Sequence, residues 1–172
     1  ALGTVDVTVH PGNDPPVLDV IGDQVTDEDT DMTIDISASD LDDGNVLSFS
    51  CTSDDEALIL CSTTDGDGAG GGASLSFDVQ LNNNGYAEIC VTVDDGEPIN
   101  SSDSECFTLT VNAINDAPIA DDHANATNED NDVSGQATGS DIDASTGNIT
   151  PATHHALHFA ITSGSTNGSA IM

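Results

Sequence analysis

The chain of 172 residues carries 32 Asp and Glu side chains and no Lys or Arg, so its formal net charge at pH 7 is −32. Phosphate backbones and anionic lipids repel a surface of this charge, which argues against binding to nucleic acids or to membrane surfaces. No apolar segment approaches the roughly 20 residues that a membrane-spanning helix needs.

Short strand patterns follow one another along the chain, and no stretch has the periodicity of an amphipathic helix. Turns rich in Asp, Gly and Asn separate them, as at Asn82-Asn83-Asn84-Gly85. Evenly spaced short strands with such turns are typical of β-sandwiches rather than of α/β folds. Residues 63–73, with a Gly-Gly-Gly tract, are predicted to form a loop. The predicted strands are residues 4–9, 17–21, 32–36, 46–51, 58–61, 74–81, 87–93 and 107–112.

The first part of the chain recurs closer to its end. Asn13-Asp14 corresponds to Asn115-Asp116, and Asp40-Leu41-Asp42 corresponds to Asp141-Ile142-Asp143. The strand pattern before each linker matches as well, since Val7 takes the place of Leu109. A period of about 100 residues is too long for a solenoid and indicates an array of whole domains.

The repeat predicts an all-β chain of tandem β-sandwiches. Residues 1–13 would be a strand and a linker, the strand being the last one of a preceding or neighbouring domain. Residues 14–115 would form a complete sandwich, and residues 116–172 an incomplete one.

Apolar and polar residues alternate in the last two strand patterns of the complete domain, over residues 87–93 and 106–111. Alternation with a period of two is the pattern of half-buried strands. A hairpin that turns around residues 97–99 would place Ile89 opposite Phe107, with both side chains in the core.

The four cysteines are predicted to form two disulfide bonds, as expected in an oxidising compartment. In the predicted hairpin, Cys90 and Cys106 lie opposite each other on the outer face, where a bond is feasible. Cys51 and Cys61 flank a short turn at residues 54–56 and are predicted to pair likewise. Each bond would stabilise the fold by about 3 kcal/mol. The alternative is two pairs of free buried thiols in a cytosolic protein.

Acidic motifs follow one another in a defined order along the complete domain. They are Glu28, Asp40-Leu41-Asp42, Asp95-Gly96-Glu97-Pro98 and Asn115-Asp116-Ala117-Pro118. This ordered set resembles the linkers and loops of cadherin repeats, including the bacterial cadherin-like, Ig-like tandem repeats of large surface proteins (adhesins). The resemblance implies tandem sandwiches at the cell surface whose junctions bind calcium.

The chemistry of the acidic motifs agrees with calcium, which takes six to eight oxygen ligands. Ala113 and Ala117 stand where polar residues would be expected, so we expect one ion per junction rather than three. The alternative is that these acids only solvate the tips of loops. For the junction after the complete domain, the predicted ligands are Glu28, Asp95, Asn115, Asp116, Asp141 and Asp143. For the junction before it, they are Asn13, Asp14, Asp40 and Asp42.

One end of the chain has a strand pattern without a domain, and the other end has a predicted domain that lacks strands. Residues 2–9 have a strand pattern without a domain, and half a sandwich over 116–172 would leave an apolar face and a sheet edge uncovered. We therefore expect the N-terminal strand of one molecule to complete the last domain of the next, which builds a head-to-tail filament. The alternative is an excerpt of a long, calcium-rigidified tandem-repeat bacterial adhesin. The lack of an initiator Met and of a visible signal peptide suggests a processed or excerpted chain.

The remaining motifs indicate an extracellular structural protein rather than an enzyme. No nucleophile–base arrangement, glycine-rich phosphate loop or catalytic metal motif is present. Four Asn-x-Ser/Thr motifs, the acceptor sequence for N-glycosylation, are predicted glycosylation sites: Asn100, Asn125, Asn148 and Asn167. The alternative is that these motifs are chance matches in a chain rich in Ser and Thr.

Overall fold

The computed structural model describes residues 3–8, 12–42, 46–65, 71–143 and 157–160, in which all regular secondary structure is β-strand. The chain divides into two compact units, Ala1–Ala113 and Ile114–Met172. Within the described ranges there is no helix long and apolar enough to cross a membrane. The strands are β1 Val17–Leu18, β2 Gln24–Asp27, β3 Met32–Ser39, β4 Ser48–Ser53, β5 Ile59–Asp65, β6 Gly72–Val79, β7 Gly85–Asp94, β8 Ser102–Asn112, β9 Ile119–Ala120 and β10 Gly139–Ser140.

The first unit is a sandwich of two four-stranded sheets. Their strand orders are β1-β3-β6-β5 and β2-β8-β7-β4, and all neighbours are antiparallel except β2 and β8. This is the arrangement of an immunoglobulin-like sandwich. The predicted all-β sandwich class is therefore confirmed.

The core of the first unit forms because alternate side chains of both sheets point inward. Leu75, Phe77, Ile89 and Leu109 are essentially inaccessible to solvent. Phe77 also meets Phe107 edge-to-face across the core, with ring centroids 6.2 Å apart. Each such side chain stabilises the fold by about 1.5–3 kcal/mol through burial.

The β7–β8 hairpin has the predicted register. Ile89 lies opposite Phe107, and Cys90 lies opposite Cys106. The two cysteines form a disulfide bond with their Cα atoms 4.1 Å apart. In the connecting loop Gly96 has a φ of 80°, a conformation that glycine adopts without a steric penalty.

The Cys51–Cys61 disulfide also forms, with its Cα atoms 6.1 Å apart, but it does not close a hairpin. β4 pairs with β7 and β5 pairs with β6, so the bond joins the edges of two different sheets. Thr63 Oγ1 reinforces this junction by donating to the carbonyl of Phe49 at 2.7 Å. The predicted bond is confirmed, and the predicted likeness to the Cys90–Cys106 hairpin is wrong.

Removing the inter-sheet bond is expected to destabilise the first unit. In the variant Cys51→Ala with Cys61→Ala, the free energy of unfolding should fall by about 3 kcal/mol because the unfolded chain is no longer cross-linked. Urea denaturation followed by circular dichroism measures this. Exposed neighbours provide the control, because Ser50→Ala with Ser62→Ala should change the free energy by less than about 0.5 kcal/mol. A cysteine variant as stable as that control would contradict the prediction.

Several predicted strand limits differ from the structure. β2 was not predicted, and residues 63–73 are not wholly a loop because β5 extends to Asp65 and β6 begins at Gly72. The strand predicted at residues 4–9 is absent over the described residues 3–8, whose side chains are exposed. A strand needs a partner, and the sequence pattern alone does not supply one.

The first strand is shorter than predicted because the chain changes sheets between β1 and β2. Two carboxylates of β8 hold this segment: Asp103 Oδ2 accepts from the amide of Leu18 at 2.9 Å, and Glu105 Oε2 accepts from the amide of Ile21 at 3.2 Å. Where the chain leaves the first sheet, the backbone amides of Leu18 and Ile21 thus donate to side chains of the second sheet.

The second unit repeats the first strand pairing of the first unit in the same register. Ile119 pairs with Ser140 as Val17 pairs with Ser39. The turn before the third strand recurs as well, since Asp29 and Asp130 have φ values of 60° and 62°. The sequence repeat is therefore also a structural repeat.

Candidate functional site

Within the first unit, the linker ahead of β1 lies against the β7–β8 loop through the side chain of Asn13. Its amide Nδ2 donates to Asp95 Oδ2 at 2.9 Å and is 3.1 Å from each of the carbonyl oxygens of Ile99 and Asn100. An NH₂ group has only two hydrogens, so three acceptors exceed what it can satisfy. The three oxygens converge on the Asn13 nitrogen, which occupies the point between them and, as an NH₂ group, cannot itself ligate a cation.

The β7–β8 loop holds Asp95 in place by hydrogen bonds of its own. The amide of Asp95 donates to the carbonyl of Ser101 at 2.9 Å, and Asp95 Oδ1 accepts from the amide of Glu97 at 2.8 Å. The residue is buried, with 6% of its surface exposed. One carboxylate oxygen is thus used by the loop, and the other faces Asn13.

The Asp40-Leu41-Asp42 turn lies against the same linker. Asp42 Oδ2 accepts from the amide of Asp14 at 2.7 Å, and Asp40 Oδ1 accepts from the amide of Asp42 at 2.8 Å. The structure therefore joins Asp14, Asp40 and Asp42, three of the four predicted ligands of the preceding junction, by hydrogen bonds, whereas the fourth, Asn13, contacts the β7–β8 loop.

The second unit repeats this contact between linker and turn. Asp143 Oδ2 accepts from the amide of Asp116 at 2.6 Å, and Asp141 Oδ1 accepts from the amide of Asp143 at 3.1 Å. Asn115 is exposed at the corresponding linker position. The linker geometry is a repeated property of the chain.

The sequence prediction that groups Asp95 with Glu28 is wrong. Glu28 is buried and its amide donates to the carbonyl of Asn112 at 2.9 Å, at the end of β8 remote from the β7–β8 loop. A strand advances by about 3.3 Å per residue, so β8 separates the two carboxylates by roughly 30 Å. Asp95 belongs with Asn13, and Glu28 cannot share an ion with it.

Carboxylates alone do not form a close metal cluster in the described ranges. The one described trio of His, Cys, Asp or Glu ligand atoms within 4.8 Å of one another is Glu88, Cys90 and Cys106, in which both cysteines are disulfide-bonded. At the linker, the additional oxygens are the backbone carbonyls of Ile99 and Asn100. Sequence reasoning missed them because every residue has a carbonyl, and its direction depends on the loop conformation.

The segment before the linker is exposed although its repeat counterpart is buried. Val5 and Val7 are 86% and 79% exposed, whereas Phe107 and Leu109 at the matching positions of β8 are 5% and 0% exposed. The same alternating pattern is thus inside a sheet in one place and outside any sheet in the other.

The described residues of the second unit, 114–143 and 157–160, line an apolar cavity. None of its described residues is buried, and Phe159 is 40% exposed, although it follows Leu157-His158 as the buried Phe49 follows Leu47-Ser48 in the first unit. A cavity of about 460 Å³ lies in this unit. It is lined by Asn115, Pro118, Ile119, Ala120, Gly139, Asp141, Leu157, His158 and Phe159.

Two of the four predicted glycosylation sites fall in the described ranges. Asn100 and Asn125 are both exposed, and Asn100 also has a left-handed backbone with a φ of 54°. Asn148 and Asn167 lie outside the described residues.

No family model matches the chain, and no curated protein does. Among solved structures, the titin domains Z1Z2 in complex with telethonin are 18% identical over 61% of this chain and 51% of that one, with a TM-score of 0.42. Domains 4 and 5 of the S-layer protein SbsC are 13% identical over 56% and 46%, with a TM-score of 0.39. The endo-fucoidan hydrolase MfFcnA4 of glycoside hydrolase family 107 is 17% identical over 62% and 15%, with a TM-score of 0.42. The chain thus spans about half or less of these solved chains.

Proposed function

We propose that this chain is the subunit of an extracellular head-to-tail filament. Residues 3–8 of one copy would add as a β-strand to the second unit of the next copy, beside the cavity lined by Ile119, Leu157 and Phe159. The contrast between the exposed Val5 and Val7 and their buried counterparts Phe107 and Leu109 carries this proposal. The two disulfide bonds support a compartment that is oxidising.

The proposed contact joins two different surfaces, and such a heterologous contact repeats from copy to copy unless it closes into a ring. Val5 and Val7 would lie toward the apolar cavity of the second unit, while Thr4, Asp6 and Thr8 would remain toward solvent. Burial of each valine contributes about 1.5–3 kcal/mol. The role is structural rather than catalytic.

Calcium is proposed to stiffen the linkers. In the first unit, Asp95, the carbonyls of Ile99 and Asn100 and the amide oxygen of Asn13, turned into the place of its nitrogen, would hold the ion, and Asp42 would supply a further carboxylate. When bound, the ion would neutralise neighbouring acids and join the linker to the β7–β8 loop. The repeated set in the second unit, with Asn115 and Asp116 in the linker and Asp141 and Asp143 in the turn, is proposed to do the same.

A second candidate is a module of a long, calcium-rigidified tandem-repeat adhesin. The recurrence of the Asp14–Asp42 contact as Asp116–Asp143 favours it, because successive joints of one chain would share this geometry. Residues 3–8 would then be the last strand of a preceding domain of the same polypeptide. Glycans at Asn100 and Asn125 fit either proposal.

Negative-stain electron microscopy of the purified chain, with calcium and with a chelator, distinguishes the two candidates. The filament proposal predicts unbranched filaments in calcium, and shorter or more flexible ones after chelation. Particles that remain single at all protein concentrations in calcium would reject the filament and leave the adhesin module.

A further inference from the structure

Within the described residues, β2 pairs with β8 alone and forms the edge of its sheet. The two strands run parallel, and Gln24 lies level with Leu109. In the next pair, Val25 lies level with Thr110. Because β8 is the one strand beside residues 24–27, the extended conformation of this segment depends on β8.

The counterpart of β2 recurs in the second unit as residues 125–128. The turn that follows fixes the alignment, because Asp29 and Asp130 both have a left-handed backbone and lie 101 positions apart. Identical residues surround the segment: Thr26, Glu28, Asp29 and Asp31 recur as Thr127, Glu129, Asp130 and Asp132. Residues 125–128 are nevertheless exposed and form no strand.

The counterpart of β8 recurs as well, in the exposed segment ahead of β1. Val7 takes the place of Leu109, and Thr8 takes the place of Thr110. This segment also forms no strand over the described residues 3–8. Both members of the parallel pair thus occur a second time in the chain, and among the described residues neither has a strand beside it. Each segment has the sequence pattern of the partner that the other one lacks.

We propose that residues 125–128 are the edge to which the N-terminal segment of a neighbouring copy adds. The added strand runs parallel to this edge, with Val7 level with Asn125 and Thr8 level with Ala126. The inference rests on the proposed filament and gives the strand addition its edge, direction and register. Main-chain hydrogen bonds supply the affinity of such an addition. The neighbour's backbone takes the part that β8 has beside β2 in the first unit.

Space for the added strand lies directly beside this edge. A cavity of about 590 Å³ is lined there by Ala126, Thr127, Asn128 and Asn131. All four residues are exposed, so the cavity is accessible from solvent. Residues 125–128 also carry no charged side chain. Like charges opposite each other on paired strands are destabilising, so a neutral edge suits a segment that contains Asp6.

The register agrees with the orientation that the N-terminal valines need. Residues level with each other on neighbouring strands point to the same face of the sheet. Leu109 is fully buried, so Val7 in the same place points inward, and Thr8 points outward beside Ala126. In the first unit Val25 holds that outer position and is 60% exposed. Cysteines at positions 8 and 126 would therefore meet on an accessible surface.

The test oxidises mixtures of variants that each add one cysteine, after assembly in calcium and without N-glycans. All four native cysteines are in disulfide bonds, so each variant offers one thiol and a bond between two variants joins two copies. Thr8→Cys with Ala126→Cys should give a covalent dimer, because adjacent strands lie about 4.8 Å apart. The matched control is Thr8→Cys with Asn128→Cys. Its Cα atoms would be two residues out of register and about 8 Å apart, which a disulfide does not span.

We expect at least about tenfold more dimer from the first mixture than from the control, with filaments in both by negative stain. Mass spectrometry of the linked peptides identifies the 8–126 bond. Filaments that give equal yields, or that link position 8 to Ser140→Cys on β10 instead, would overturn the edge and the register and leave strand donation intact. An unsubstituted chain that forms no filaments would reject the proposed function and this edge with it.

Hydrogen exchange of the unsubstituted chain provides a second readout that needs no substitution. Amides of residues 125–128 should exchange at least about tenfold more slowly in filaments than in dilute chains, because paired backbone groups open less often. Filaments in which these amides exchange as fast as in the dilute chain would overturn the proposal, even if the amides of residues 3–8 become protected.

Discussion

Replacing Val5 and Val7 by Asp is expected to abolish filament formation while leaving the first unit folded. Both side chains are exposed in the single chain, so their replacement removes no contact from the sandwich. In the proposed assembly they are buried, and the variant loses two apolar contacts and places two carboxylates in an apolar cavity. The combined loss is at least about 4 kcal/mol, or roughly a thousandfold in the concentration at which filaments form. Sedimentation and negative-stain microscopy measure that concentration.

The matched control adds the same charge to the opposite face of the segment. Thr4→Asp with Thr8→Asp leaves Val5 and Val7 in place, so this variant should assemble with no more than a modest change in critical concentration. Equal assembly of the two double variants would contradict strand insertion and would indicate a contact that does not depend on side-chain alternation.

Calcium is expected to raise the melting temperature of the chain, and Asp42→Asn is expected to remove most of that gain for the first unit. At a calcium concentration 100 times the dissociation constant, one site adds about 2.7 kcal/mol. For a domain of this size the shift is about 10–20 °C. The Asn side-chain oxygen can still accept from the Asp14 amide, so the variant keeps the linker contact and loses only the charge. Differential scanning calorimetry with and without chelator measures the shift.

Two controls separate specific binding from general screening of a chain with a charge of −32. Asp35→Asn makes the same charge change on the exposed outer face of β3, and its response to calcium should match that of the unsubstituted chain. Sodium chloride at equal ionic strength should give a smaller shift, which is the same for all three proteins. If Asp42→Asn and Asp35→Asn respond alike, the linker does not hold the ion.

The sequence predicts best where a strand pattern and its partner lie close together in the chain. The alternation over β7 and β8 determines which residues point inward, and the short loop between them determines the register, so the Cys90–Cys106 pair follows. The same reasoning does not show which strands pair with the two strands that carry Cys51 and Cys61. A short turn between two strands looks the same whether it closes a hairpin or crosses from one sheet to the other.

The acidic site was predicted in part for a similar reason. The motif order identifies Asn13, Asp14 and Asp42 as linker and turn residues; the structure joins Asp14 to Asp42 as expected, whereas Asn13 contacts Asp95. The motif order groups Asp95 with the wrong end of the sandwich, because the order of motifs along a chain does not show at which end each loop lies. The carbonyls of Ile99 and Asn100 depend on the loop conformation, which residue types do not reveal.

Hydrogen exchange of the amides of residues 3–8 tests the central claim most directly. The claim is that this exposed segment becomes a paired strand of another copy, so its amides should be unprotected in dilute solution and protected as protein concentration rises at constant calcium. Protection should be lost in the Val5→Asp with Val7→Asp variant. Amides of residues 3–8 that exchange without protection at every concentration, including in any filaments that form, would contradict the account.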